Sequence, residues 1–351
     1  MNLYGEDMRL EHKRARLVFY IKDLKLEWAI EPRYWRNPLI AVAGLALLPL
    51  VIMSQPDYLS LLTTANIYAA VAIPLAWQTA GIGRMNFGPQ LFVGIGGFAA
   101  ALLSIHLGWG PWSTLGVVIL LGLGLALVLS PLTIIARGLY FSLITLVLPL
   151  IFLEFTYVYT NIFQGETGLS GIAPLVQFDK IQTNYVVSCH LSLVMMLMIL
   201  YGVDKILRSR IGLYAAAIND DEDVAKTCGL NINRWKIICF TITSAMIAVA
   251  GWFAAHYYGT FAGVTYLPLP FLVKILLINI IGGRGEVYGS IVGAYFVAFL
   301  EQALTILGPV HYIAFPFILL VLLFTLREGL YGIYRKHKYR EYYPTMRVRK
   351  R

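Results

Sequence analysis

Apolar runs about as long as a bilayer is thick recur along the chain, separated by short polar breaks. Ten such runs are read near residues 39–54, 59–80, 87–107, 113–135, 138–160, 185–206, 236–258, 267–282, 287–307 and 311–326. About 20 apolar residues in a helix cross a hydrocarbon core of roughly 30 Å. In lipid a backbone without water must bond to itself, so each run is helical. The pattern predicts an all-α integral membrane protein, a polytopic helix bundle of about ten transmembrane helices with broken helices among them. Three regions follow: a basic N-terminal segment at 1–38, a transmembrane domain at 39–326, and a basic C-terminal tail at 327–351.

One interruption stands apart from the others. Within the loop 208–235, residues Ile211 to Trp235 form a long polar stretch between two spans, with the signals of a short capped helix. Asn219 is the predicted N-cap, accepting backbone N–H bonds. Asp220, Asp221, Glu222 and Asp223 crowd the first turn, where the helix dipole favours negative charge. Ala225 and Lys226 follow, and Gly229 can take the left-handed conformation that ends a helix. A bilayer has no use for such a segment, so it reads as a docking element for a soluble partner.

Composition and charge agree with a membrane protein. Hydrophobic residues make up 58% and charged residues 13% of the 351, with a mean hydropathy of +0.70; soluble domains are roughly 25% charged. The net charge of +9 is concentrated at the ends, with clusters of Lys and Arg before residue 38 and after residue 326. With ten spans and the N-terminus inside, every Lys and Arg except Lys180 and Lys274 lies on the cytoplasmic side, as positive-inside topology requires. The charge therefore reflects topology, and no nucleic-acid partner is expected. The first apolar run begins only at Leu39, so no secretory signal is read. Segment 15–29 mixes apolar and charged residues; it either lies on the inner membrane surface or is a solvated tail. Cys189, Cys228 and Cys239 have no metal or redox spacing and read as packing residues. His106, His256 and His311 fall near predicted outer ends of spans, where a polar tip at the interface is the ordinary explanation.

No catalytic motif is present. The chain contains no G-x-x-x-x-G-K-[ST] phosphate loop, no H-E-x-x-H and no G-x-S-x-G. No enzyme activity, metal or cofactor is expected of this chain. Glycines point to close helix packing. Gly285, Gly289 and Gly293 form a four-residue repeat opening the ninth span, and Gly88, Gly94 and Gly96 are read the same way in the third. Segment 78–98 gathers Gly, Pro, Asn, Gln and Arg where a helix would break. It is either a break lining a substrate path or a cytoplasmic hairpin between the second and third spans. Asn86, Gln90, Tyr140 and Thr145 each offer a hydrogen-bonding tip to such a path. Each is also explicable as an interhelical bond of about 0.6 kcal/mol.

Four blocks of residues resemble the permease subunits of branched-chain amino acid type ATP-binding-cassette importers. The first is Gly88 with Phe92, Gly94, Ile95 and Gly96. The second is Arg137-Gly138-Leu139-Tyr140-Phe141 with Thr145, followed by Gly165-x-x-Gly168-Leu169. The third runs from Ser209-x-x-Gly212 through Asp221-Glu222, Ala225, Gly229 and Asn231. The last is Leu276 to Gly282-Gly283, then Gly289 and Gly293-Ala294. Together they cover roughly 60–300. The resemblance implies a second permease subunit, cytoplasmic ATPase subunits that bind the ATP, a periplasmic solute-binding protein, and a bacterial or archaeal plasma membrane with both termini cytoplasmic. It makes the 219–229 segment the ATPase-coupling helix. The family's E-A-A-x-x-x-G pattern stands here as Asp223-Val224-Ala225-x-x-x-Gly229.

The departures bear on the solute. Gly81-Ile82-Gly83-Arg84 replaces the family's Tyr-Ala-Gly-Gln, and Asn86 takes a serine position. Lys274 lies within a span where many relatives carry Glu. A charge there costs roughly 2.5–3.5 kcal/mol on insertion scales. It either faces the path and favours a carboxylate-bearing solute, or it snorkels or pairs with Glu154, Glu166 or Glu301. The resemblance implies import of branched-chain amino acids or a related small polar or carboxylate solute. A stand-alone secondary transporter or channel is the competing reading, and it explains the acidic capped loop less well.

Overall fold

The computed structural model describes residues 16–21, 24–29, 44–45, 47–53, 55–136, 138–283 and 285–310, with eight further positions between 314 and 330. The chain divides into two units, Met1–Met53 and Ser54–Arg351. In the first, β1 (Arg16–Ile21) and β2 (Leu24–Ala29) pair antiparallel, with Leu17 opposite Trp28 and Phe19 opposite Leu26. Within segment 15–29, residues 16–21 and 24–29 are thus extended.

The second unit is a helix bundle. Its elements are α1 (Pro56–Ile82), α2 (Pro89–Leu107), α3 (Pro111–Leu129), α4 (Leu132–Ile135), α5 (Leu139–Val158), α6 (Thr160–Phe163), β3 (Leu169–Ser170), α7 (Ile181–Leu207), α8 (Arg210–Asp220), α9 (Glu222–Thr227), α10 (Ile232–Tyr258), β4 (Thr260–Phe261), α11 (Gly263–Tyr266), α12 (Leu269–Gly282) and α13 (Val287–Leu304). Eight stretches are long and apolar enough to cross a membrane among the described residues. They match the second to ninth predicted spans. Of the first, 39–54, residues 44–45 and 47–51 are described and helical, and of the tenth, 311–326, only six scattered positions are described.

Local chemistry sets the boundaries. Pro56, Pro89 and Pro111 begin helices, where a missing N–H costs nothing. Gly83, Gly108 and Gly259 end helices in the left-handed conformation. α10 begins four residues before the apolar run does, because Asn231 caps it by accepting the Arg234 N–H.

α1 and α10 form the centre: 83% and 72% of their most apolar stretches are buried, against 28% for the α3–α4 and α5 spans at the rim. α10 packs on α1, α2 and α3, while α1 packs on α7 and α13. Glycines permit these approaches. A Cβ at Gly96 would collide with the Ala248 carbonyl oxygen, and one at Gly251 with that of Val93, so α2 and α10 touch backbone to backbone. Gly289 and Gly293 of α13 meet the α12 backbone at Gly282 and Ile278 likewise. Gly285 does not share that face. It precedes α13 in a turn, with φ +75°.

At the end of the bundle away from α9, β3 pairs with β4, and Phe261 lies fully buried against Phe98 and Tyr266. His256 is no interfacial tip: it is buried, with Nδ1 at the Ala173 carbonyl and Nε2 at the Thr114 hydroxyl. Cys189 and Cys239 are buried, whereas Cys228 is exposed.

Candidate functional site: the α8–α9 knob and the hairpin beneath it

The polar loop is two helices rather than one. α8 starts at its cap Ser209, whose hydroxyl accepts the Ile211 N–H. Asn219 sits in the last turn of α8, so it is not the cap of α9. That role falls to Asp221, whose carboxylate accepts the Asp223 and Val224 N–H groups at 2.9 and 3.0 Å. Asn219 and Asp221 could each serve as cap, and the winner is the one whose backbone is extended, Asp221 at φ −157° and ψ 110°. Gly229 takes φ +83°. Its N–H reaches the Lys226 carbonyl and the Leu230 N–H reaches that of Ala225, the paired closure of a left-handed helix end.

A small apolar core makes this loop rigid. Ile218, Ala225 and Ile232 are buried together, with Leu230 and Trp235 packed on them. The rings of Tyr214 and Trp235 are 4.7 Å apart. α8, α9 and the root of α10 therefore form one knob, with Asp220, Asp221, Asp223, Val224 and Lys226 exposed on it.

Glu222, 45% exposed on the same knob, reaches back to the bundle. Its Oε1 accepts from Lys236 Nζ at 2.5 Å, and its Oε2 accepts from Arg84 Nη2 at 3.2 Å. Lys236 is only 2% exposed. Arg84 also donates through Nη1 to the carbonyls of Thr133 (2.5 Å) and Ala136 (2.8 Å), at the end of the α3–α4 span. Those terminal carbonyls have no intrahelical partner, and a cation suits that end of a helix. Burial alone would push the Glu222 carboxyl up; the hydrogen bond and charge of Lys236, and then Arg84, outweigh it and hold the carboxyl below its ordinary value. A lowered folded pKa adds stability above the unfolded pKa and loses it as pH falls through the folded value. The ion pairs accordingly stand at neutral pH.

Arg84 belongs to the connection between α1 and α2 within segment 78–98. The helices are continuous to Ile82 and from Pro89, and the residues between them form a tucked-in hairpin at the α9 end. Asn86 is 1% exposed; it accepts the Gly88 N–H at 2.8 Å and lies 3.3 Å from Gln78 Oε1. Gln78 also meets the Thr243 hydroxyl. Thr145 accepts the Phe87 N–H, and Ser142 donates to the Met85 carbonyl. A narrow cavity beside the hairpin is lined by Asn86, Gly88, Thr145, Phe240 and leucines. Gln90 is fully buried nearby in sequence, and neither amide atom meets a partner among the described residues.

The other candidates lie apart. Tyr140 is 73% exposed on α5 and does not join the Asn86–Thr145 cluster. Lys274 sits in α12, bonded to Glu301 of α13 at 2.6 Å and to the Tyr68 hydroxyl of α1 at 3.1 Å. Of its two readings, the geometry favours the ion pair, because the charge is already answered inside the bundle. Glu301 is one of the three acids the sequence offers Lys274, whereas Lys236 and Gln78 are not singled out by the sequence as site residues. Lys236 could have been found, since a lysine opening a span one loop away from four acids needs an anion. Arg84 could have been found from the departure it makes.

The sequence profile of the permease component of branched-chain amino acid transport systems matches residues 58–326. A ribose import permease of Haemophilus influenzae is 29% identical over 286 residues, covering 77% of this chain and 86% of that protein. One of Escherichia coli K12 is 26% identical over the same shares of each chain. A high-affinity branched-chain amino acid permease of E. coli K12 is 24% identical, covering 66% of this chain and 60% of its own. No solved structure matches.

Proposed function

From the premise that this chain belongs to the family of permease components of branched-chain amino acid transport systems, we propose that it is the membrane-spanning subunit of an ATP-driven importer, with α9 as its ATPase-coupling helix. The observation that carries this is the knob: a capped, acidic, exposed helix fixed by its own core to the root of a central span. A rigid element of that kind can pass a partner's motion on as a body. On this reading the knob end is cytoplasmic, ATP is bound by separate ATPase subunits, a second permease subunit completes the path, and a solute-binding protein feeds the other end in a bacterial inner membrane.

The test is retention of ATPase subunits by affinity-tagged chain. Gly229→Pro forces φ to about −65° and removes the N–H that closes α9. The variant is expected to insert and stay monodisperse, yet lose the ATPase and with it all uptake. Undiminished retention would remove α9 from the coupling role.

For the solute we propose a small neutral polar molecule of the sugar class. Lys274 is neutralised by Glu301, so it offers no free cation to a carboxylate. The polar tips near the hairpin are amides and hydroxyls. Relatives named as ribose import permeases agree with this; the named branched-chain amino acid permease supplies the competing class. Uptake in a strain lacking its own ribose and leucine importers decides: ribose accumulation is expected, and leucine accumulation alone would reverse the assignment.

A further inference from the structure

We infer that Glu222 is the residue through which α9 moves the 83–88 hairpin and the start of α5, as a positioning residue tied to the bundle by its two ion pairs; this rests on the coupling role proposed for α9. The family-type acidic position is Asp223; Glu222 one residue earlier is also exposed on the knob, but both of its carboxylate oxygens are bonded back to the bundle, at Lys236 and Arg84. A continuous polar chain runs inward from it. Glu222 holds Arg84, and Arg84 holds the last carbonyls of the α3–α4 span. Next to Arg84, Met85 accepts from Ser142, Phe87 donates to Thr145, and Gly88 lies against the Thr145 carbonyl so closely that a Cβ would strike it. Ser142 and Thr145 belong to the first turns of α5, which with the α3–α4 span has only 28% of its most apolar stretch buried. On the other side Asn219 of α8 abuts Gly83, where a Cβ would meet its side chain.

Displacement of the knob therefore shifts the 83–88 hairpin and the start of α5 together, and these line the narrow cavity at Asn86 and Thr145. The link needs a charge. A carboxylate answers two cations at once, whereas a neutral amide of the same shape leaves Arg84 without its counter-ion.

The experiment uses the full chain with its ATPase subunits in nanodiscs, with Cys228 replaced by serine. A fluorophore is attached through cysteine at Thr227 on α9 or at Met85 on the hairpin, both exposed, and ATP with vanadate drives closure. In the otherwise unaltered chain both labels change emission. With Glu222→Gln, ATPase retention and the Thr227 response are expected to persist while the Met85 response is lost. Arg84→Gln is expected to lose the same response, and the double variant to lose no more than either single. A full Met85 response in both variants overturns the inference. So does loss of ATPase retention in Glu222→Gln alone, which would turn that carboxylate outward. Failure of the unaltered chain to retain an ATPase overturns the importer reading, and the inference with it.

Discussion

Lys274→Glu is expected to abolish accumulation of folded protein in the membrane. Lys274 and Glu301 are bonded at 2.6 Å within a bundle, with side chains 15% and 29% exposed. The substitution sets two carboxylates against each other beside the Tyr68 ring, which the Lys274 ammonium now covers at 5.0 Å. Breaking a buried pair costs about 3–5 kcal/mol, and a like charge adds to that. The exchange Lys274→Glu with Glu301→Lys should recover most of the loss, since the Tyr68 hydroxyl can donate to a carboxylate as readily as it accepts from an ammonium. The yield and thermal midpoint of detergent-extracted protein measure this. Full yield from Lys274→Glu alone would show that the pair is not holding α12 to α13. If Lys274 selected a carboxylate solute, the exchanged protein would fold and yet change selectivity; unchanged selectivity is expected.

Gly251→Leu should be comparably severe for a different reason. Gly251 and Gly96 each face a carbonyl oxygen of the opposing helix, Val93 and Ala248, with no side chain that could move aside. A larger residue must separate α2 from α10. Overpacking costs about 1–3 kcal/mol where neighbours can shift, and here the neighbour is backbone. Even Gly251→Ala is expected to lower the thermal midpoint by several degrees, taking about 1–3 kcal/mol as a shift of a few degrees for a chain of this size. Gly124→Ala in α3 is the control, because a Cβ there meets nothing within 4 Å. Equal midpoints for the two alanine variants would mean that α2 and α10 do not meet backbone to backbone at Gly251.

Much of this was legible in the sequence because membrane helices announce themselves by composition. The eight central spans follow from apolar length alone, and Gly229 as a left-handed terminus follows from its place after Lys226. What needed three dimensions was the choice between chemically equal residues. Asn219 and Asp221 are both good caps, and only backbone geometry separates them. Gly285 keeps the four-residue spacing of Gly289 and Gly293 but precedes the helix. His256 is placed near a span end, yet its burial depends on the Ala173 loop folding back over it. Lys274 had three acidic partners within reach of argument, and contact between α12 and α13 chose Glu301. Tyr140 was grouped with Thr145 by proximity in sequence, although five residues of a helix place them on different faces.

α10 has 27 residues and no proline, so it spans about 40 Å as a single rod. Its foot is clasped by Glu222 at Lys236, and its head is fastened through His256 to the strand-forming segment at Ala173. On the importer role proposed above, a torque applied at the α9 end would find no joint in which to dissipate before the opposite end of the bundle, and opening one entrance and sealing the other would then be the same stroke.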